Sequence, residues 1–153
     1  MQIEKIINNK KHFMPLLFLA DEQESMIDKY LGRGDMFVMY NSDNEPVCSA
    51  VVTDETNGVC ELKNLAVAPE CQRQGLGRMM IEYLCHYYKD SFDLMIVGTG
   101  DSRQTISFYQ KCGFVYSHIV PNFFTYNYDH PIIEEGKVLK DMIYFRKALE
   151  AID

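Results

Sequence analysis

Apolar and polar residues alternate along this chain with two different periods. Residues 2–7 alternate weakly and predict a first strand. Phe13 to Leu19, with Phe13, Met14, Leu16, Leu17 and Leu19, is a strongly apolar helical pattern. From about Glu22 to Leu31, Met26, Ile27, Tyr30 and Leu31 recur at spacings of one and three, one face of a second helix stopped at Gly32. Met36 to Tyr40 is a continuous apolar run, as in a buried strand. Asn41 to Pro46 has turn chemistry, Val47 to Thr53 is strand-like, and Asn57-Gly58 signals a hairpin before Val59 to Val67. Three strands joined by two short turns form an antiparallel meander.

After Val67 the pattern changes. Pro69 breaks the strand, a polar loop punctuated by Gly75 and Gly77 follows, and Met80, Ile81, Leu84 and Tyr88 then recur at helical spacing as far as about Lys89. Phe92 to Val97 predicts a strand buried on both faces. Ser102 to Cys112 is a helix that Gly113 can cap, and Phe114 to Val120 is a further strand. Pro121 to Lys140 is a long irregular stretch rich in aromatics, and Met142 to Leu149 supplies a last strand. The order predicts a mixed α/β fold: a single domain over residues 1–153, with no internal repeat or linker.

The stretch Gln72-Arg73-Gln74-Gly75-Leu76-Gly77-Arg78, between a strand and a helix, carries chemistry. Gly75 and Gly77 allow φ > 0 and a close approach by a ligand. The unpaired amides that open a helix form an anion site, and Arg73 and Arg78 add charge. The physical reading is a cradle for a phosphate or pyrophosphate. It lacks the Gly-Lys-Ser/Thr ending of a P-loop and the third glycine of a dinucleotide fingerprint.

The order Q-x-x-G-x-G resembles the acetyl-CoA loop of the GNAT N-acetyltransferase superfamily, in which the pyrophosphate of coenzyme A sits on such a turn. The element order is similar to the family's from end to end, a mostly antiparallel sheet flanked by helices. Motif detail matches from Glu61 to Phe114, about a third of the chain. The resemblance implies an enzyme that transfers an acetyl group from acetyl-CoA to a primary amine by direct transfer in a ternary complex. A coenzyme A-binding sensor that does no chemistry is the alternative.

By that resemblance the backbone of Leu65, Ala66 and Val67 binds the pantetheine arm and polarises the thioester carbonyl. Glu61, earlier on the same strand, resembles the strand glutamate that serves several family members as general base. Lys63 shares its face under strict alternation and can pair with it. Phe108-Tyr109-Gln110-Lys111-Cys112-Gly113-Phe114 resembles the family's helix ending, whose tyrosine lies near the coenzyme sulfur, so Tyr109 is the candidate acid. A phenol serves there only if the site lowers its pKa or stabilises the thiolate. Where family members often carry an Asn that binds coenzyme A, this chain has Ser102, which can also cap a helix.

Composition narrows the picture further. The net charge of −7 disfavours nucleic-acid binding. No apolar run is long enough to span a membrane, and the first ten residues lack the apolar centre of a secretion signal, so a cytoplasmic protein is expected. Five cysteines without a C-x-x-C pair argue against a disulfide framework or a metal site and suit small buried apolar groups. Between Pro121 and Asp141, Phe123, Phe124, Tyr126 and Tyr128 are followed by Asp129, Glu134, Glu135 and Asp141. Aromatic faces and carboxylates hold ammonium groups, so this stretch is expected to favour a cationic amine acceptor. Closing the core or burying a homodimer interface is the competing reading.

Overall fold

The computed structural model describes residues 1–150. Its main sheet has seven strands in the order β1-β2-β3-β4-β5-β9-β6. These are β1 (Gln2–Ile6), β2 (Asp35–Tyr40), β3 (Pro46–Asp54), β4 (Val59–Val67), β5 (Leu94–Thr99), β6 (Val115–Val120) and β9 (Met142–Ala148). Every neighbouring pair is antiparallel except β4 with β5. The short strands β7 (Ile133–Glu134) and β8 (Lys137–Val138) pair separately. The helices are α1 (Met14–Ala20), α2 (Glu24–Leu31), α3 (Leu76–Tyr88), α4 (Arg103–Lys111) and α5 (Phe123–Asn127).

Helices cover both faces of the β2–β3 region, which explains its unbroken apolar runs. Met36, Val38 and Val51 pack with Leu17 and Ile27 of α1 and α2. Phe37, Ala50 and Val52 point the other way, into the larger core that holds Met80, Ile81 and Leu84 of α3. A strand buried on both sides loses the polar alternation that a solvated face would impose. On β5 the burial does alternate. Met95 and Val97 are buried while Leu94 and Ile96 are half-buried, so the expectation of a strand buried on both faces is corrected, and the strand begins at Leu94 rather than Phe92.

Local signals act where expected. Asn57 and Gly58 take φ of 55° and 79° at the β3–β4 hairpin. Ser102 caps α4 by accepting from the Thr105 amide at 3.4 Å. Gly113 follows that helix with φ 95°.

Residues 121–140 are less irregular than the sequence suggests. Phe124 of α5, Ile132 and Leu139 make a small core of their own. The tip of the β7–β8 hairpin is Glu135-Gly136, both in the left-handed region. From there the Glu135 carboxylate accepts from the Ser102 hydroxyl at 3.1 Å and from the Arg103 and Gln104 amides at 3.3 and 3.2 Å. A carboxylate on the first amides of a helix is favoured by their unpaired hydrogens and by the helix dipole. These contacts hold the Glu135 carboxyl below its usual range, with the Gln104 amide the largest cause. The hairpin is thereby latched to α4. Glu135→Ala is expected to speed hydrogen exchange at the Arg103 and Gln104 amides severalfold, with exchange in β2 and β3 unchanged. Equal protection in both proteins would show that the latch does not hold the hairpin.

Candidate functional site

β4 and β5 run side by side only from Val59↔Leu94 to Leu62↔Val97. β4 then continues to Val67, pairing with β3 alone. Among the described residues, the β5-side edge of Lys63 to Val67 pairs with no strand. Unpaired edge groups are ready to bind another extended chain. Leu65, Ala66 and Val67 all lie on this edge.

β4 leads into a short 3-10 turn, Pro69–Cys71, and then the glycine loop. The Gln72 side-chain amide donates to the Val67 carbonyl at 3.2 Å and ties the loop to the strand end. Arg73 has φ 64° and Gly75 φ 80°, so the loop turns twice through the left-handed region. Gly75 is the N-cap of α3, and the helical bonds begin with the Met79 amide donating to the Gly75 carbonyl at 3.0 Å. The amides of Leu76, Gly77 and Arg78 therefore lack helical acceptors. A Cβ on Gly75 would meet nothing within 4 Å, so the cradle is open on that side.

Gly77 works differently from the expectation. Its φ is not positive, and it is buried in the first turn of α3. A Cβ there would lie 3.0 Å from the Phe108 ring. Gly77 is small so that α3 can pack against α4. Arg78 Nε pairs with Glu82 at 3.2 Å.

Where β4 and β5 part, a cavity of about 680 Å³ opens. Its walls include Glu61 and Leu65 of β4, Gly98 of β5, Tyr109 of α4 and Tyr144 of β9. The α1–α2 connection and the segment after β6 complete them, through Asp21, Phe124, Tyr128 and Glu134 among others. β3 and β4 slip register at this point: Val51 pairs with Asn64 and Val52 with Leu62, which leaves Lys63 as the extra residue of a bulge. Bulges of this kind re-aim side chains.

Glu61 is 6% exposed. Lys63 Nζ lies 3.1 Å from its Oε2, and the Tyr144 hydroxyl donates to Oε2 at 3.2 Å. Burial pushes the Glu61 carboxyl above its ordinary value, while Lys63 and the Tyr144 hydrogen bond pull against that rise. The result is a basic carboxylate facing a cavity, the state a general base requires.

Tyr109 is buried and lines the same cavity. Burial pushes its phenol up rather than down. In that state a phenol donates a hydrogen bond to a thiolate readily and surrenders its proton reluctantly. Ser102 is committed inside the chain, to Thr105 and to the Glu135 carboxylate, at the helix end where a coenzyme contact is expected.

The cradle, the free strand edge and the cavity lie along one path, and residues 32–116 match the family described as Acetyltransferase (GNAT) domain. The chain belongs to the GNAT acetyltransferase family. An uncharacterized N-acetyltransferase of Bacillus subtilis is 32% identical over 130 residues, 84% of this chain and 83% of that protein. The crystal structure of a GNAT family acetyltransferase from Elizabethkingia anophelis with acetyl-CoA bound superposes with TM-score 0.90 at 33% identity, covering 97% of each chain. A Bacillus subtilis acetyltransferase in complex with CoA gives TM-score 0.87 at 31% identity, covering 97% of this chain and 98% of that one. This GNAT protein is an acetyl-CoA-dependent acetyltransferase, with acetyl-CoA as its cosubstrate. Among its described residues no helix is long and apolar enough to cross a membrane.

The fold brings Glu61, Leu65 and Tyr109 to one cavity. It does not bring Tyr126 there: that ring is 79% exposed, whereas Tyr128 lines the wall. Sequence reasoning misses Tyr144 and Asn64, because no motif marks them and only their placement does.

The two loop glycines are expected to fail differently. Gly75→Ala must hold a left-handed conformation at a cost of ~1–2 kcal/mol, and it should lower coenzyme A affinity in a calorimetric titration. Gly77→Val presses on Phe108, and overpacking of about 1–3 kcal/mol should lower the melting temperature of the free protein. An unchanged melt for Gly77→Val would mean that α3 and α4 can move apart without cost.

Proposed function

We propose that this acetyltransferase acetylates a primary amine by direct attack in a ternary complex, with Glu61 as general base. The observation that carries the reading is a buried carboxylate of raised basicity, facing a cavity at the point where the strand edge becomes free. The Gln72–Arg78 loop, with its Gly75 turn, holds the pyrophosphate on the opening amides of α3. The edge from Leu65 to Val67 holds the pantetheine arm and stabilises charge developing on the carbonyl oxygen. Glu61 takes a proton from the ammonium of the acceptor, directly or through one water. The freed nitrogen adds to the thioester carbonyl to form the new C–N bond; the C–S bond then breaks with its electron pair going to sulfur, and the second nitrogen proton passes to that thiolate, so coenzyme A leaves as the thiol. Tyr109 donates a hydrogen bond to the departing sulfur, in keeping with its raised pKa.

The acceptor is cationic on this reading. Asp21, Glu22 and Glu134 line its side of the cavity together with the aromatic rings of Phe123, Phe124 and Tyr128. Of the basic residues on those walls, Arg33 is 2.9 Å from Glu55 and Lys63 is paired with Glu61, which leaves Lys29 facing the three carboxylates.

Release of free thiol from acetyl-CoA, followed with a panel of amines, tests the reaction. Glu61→Gln keeps the shape and removes the base, and kcat should fall roughly 10²–10⁴-fold. A variant as fast as the parent at every pH would assign the deprotonation elsewhere.

The pH dependence has a definite sign. Glu61 works ionised, so the rate rises with pH through its pKa, and burial sets that limb above the ordinary glutamate range. Lys63 lowers this pKa, so Lys63→Met should move the acidic limb to higher pH. A limb that stays in place or moves down would separate Lys63 from the base.

A further inference from the structure

Asp21 sits at the C-terminal end of α1, inside the cavity wall. It accepts from the Tyr30 hydroxyl at 2.9 Å and from the Tyr128 hydroxyl at 2.7 Å. Two neutral donors fix its orientation without cancelling its charge. An ionised carboxylate has about four acceptor positions, so Asp21 retains capacity for a ligand. Asn64, 3% exposed, lines the same cavity, and its amide donates to the Tyr30 hydroxyl and to the Leu17 carbonyl, each at 3.1 Å. Its Oδ1 has no partner among the described residues.

Carboxylates outnumber ammonium groups on this side of the cavity, Asp21, Glu22 and Glu134 against Lys29. Glu22 meets only His130, at 3.5 Å, and Glu134 has no hydrogen-bond or ion-pair partner among the described residues. Burial, then Glu135 and Glu22, push the Glu134 carboxyl up, as expected of an acid without a counter-cation. The stacked rings of Phe124 and Tyr128, 5.7 Å apart, form the adjoining wall. The excess of carboxylates disfavours an anionic acceptor, and a second cation would be held by both carboxylate and ring face.

Distance separates this group from the reacting centre. Glu61 and Asn64 are three residues apart on β4, about 10 Å of strand, and the Tyr30 hydroxyl extends the line from Asn64 to Asp21. We infer that the acceptor is a diamine: one amine reacts beside Glu61, and the second ammonium is held by Asp21 with Glu22 and Glu134 around it. This rests on the reading of the cavity as an amine site and adds the second subsite.

The test compares diaminobutane with butylamine as acceptors for the full chain with saturating acetyl-CoA. The wild type should favour the diamine in kcat/KM by at least about tenfold. Asp21→Asn, which keeps the shape and one acceptor oxygen and turns an amide N–H toward the other tyrosine hydroxyl, should collapse that ratio chiefly through KM for the diamine. If Asp21→Asn melts too low to assay, Glu134→Gln serves in its place and should lower the ratio about threefold. Equal use of the two amines by the wild type, or a ratio untouched by the variants, overturns the subsite. Should neither amine be acetylated, the amine-acceptor reading itself has failed. Calorimetric binding of diaminobutane to the coenzyme A-loaded protein then still decides the subsite: binding lost in Asp21→Asn sustains it, and no binding by the wild type ends it.

Discussion

The parting of two parallel strands governs this molecule. Pairing between β4 and β5 ends at Leu62↔Val97, although β4 runs five residues further. Backbone donors and acceptors left without a partner are costly unless something pairs with them. An extended pantetheine arm can supply that pairing, and the same divergence opens the cavity. The cradle at the end of β4 follows from the same strand, because the Gln72 side chain ties the loop to Val67. Glycine loop, free strand edge and cavity therefore share one line of backbone.

The bulge at Lys63 sets what faces the cavity. Without the slip between Val51 and Val52, Asn64 would occupy the opposite side of β4 from Glu61, since successive side chains alternate. With it, Glu61 and Asn64 both line the cavity. Two opposing effects then shape Glu61. Burial favours the neutral acid, while Lys63 and Tyr144 favour the ion. Burial dominates, which leaves a carboxylate more basic than a free glutamate and still held in one orientation by two donors.

Residues 121–141 show how a late segment completes a site built by earlier ones. Its own core of Phe124, Ile132 and Leu139 is small, and much of its hold comes from polar contacts. Glu135 sits on the first amides of α4, Tyr128 reaches Asp21, and the Asp129 amide donates to the Gln23 side chain at 3.0 Å. These contacts draw the segment across the cavity toward the α1–α2 connection, so this wall of the cavity is shared between two distant parts of the chain. The crowding of aromatics in the sequence pointed to this region, but only some of them reach the cavity, and Tyr126 faces outward.

By itself the sequence determined what local physics decides. Element order follows from apolar period, the hairpin from Asn57-Gly58, the caps of α4 from Ser102 and Gly113, and the turn from β4 into α3 from glycines between a strand and a helix. Each of these depends on residues within a turn or two of one another. The tertiary structure decided the rest. It placed β9 between β5 and β6, and so set Tyr144 against Glu61 from 83 residues away. It gave Gly77 a packing role through Phe108, and it spent Ser102 on Glu135. It joined Asp21 to Tyr128 across 107 residues. Such pairs form only after the sheet has closed and excluded water between them, and no pattern of neighbours along the chain records which distant side chains that closure brings together.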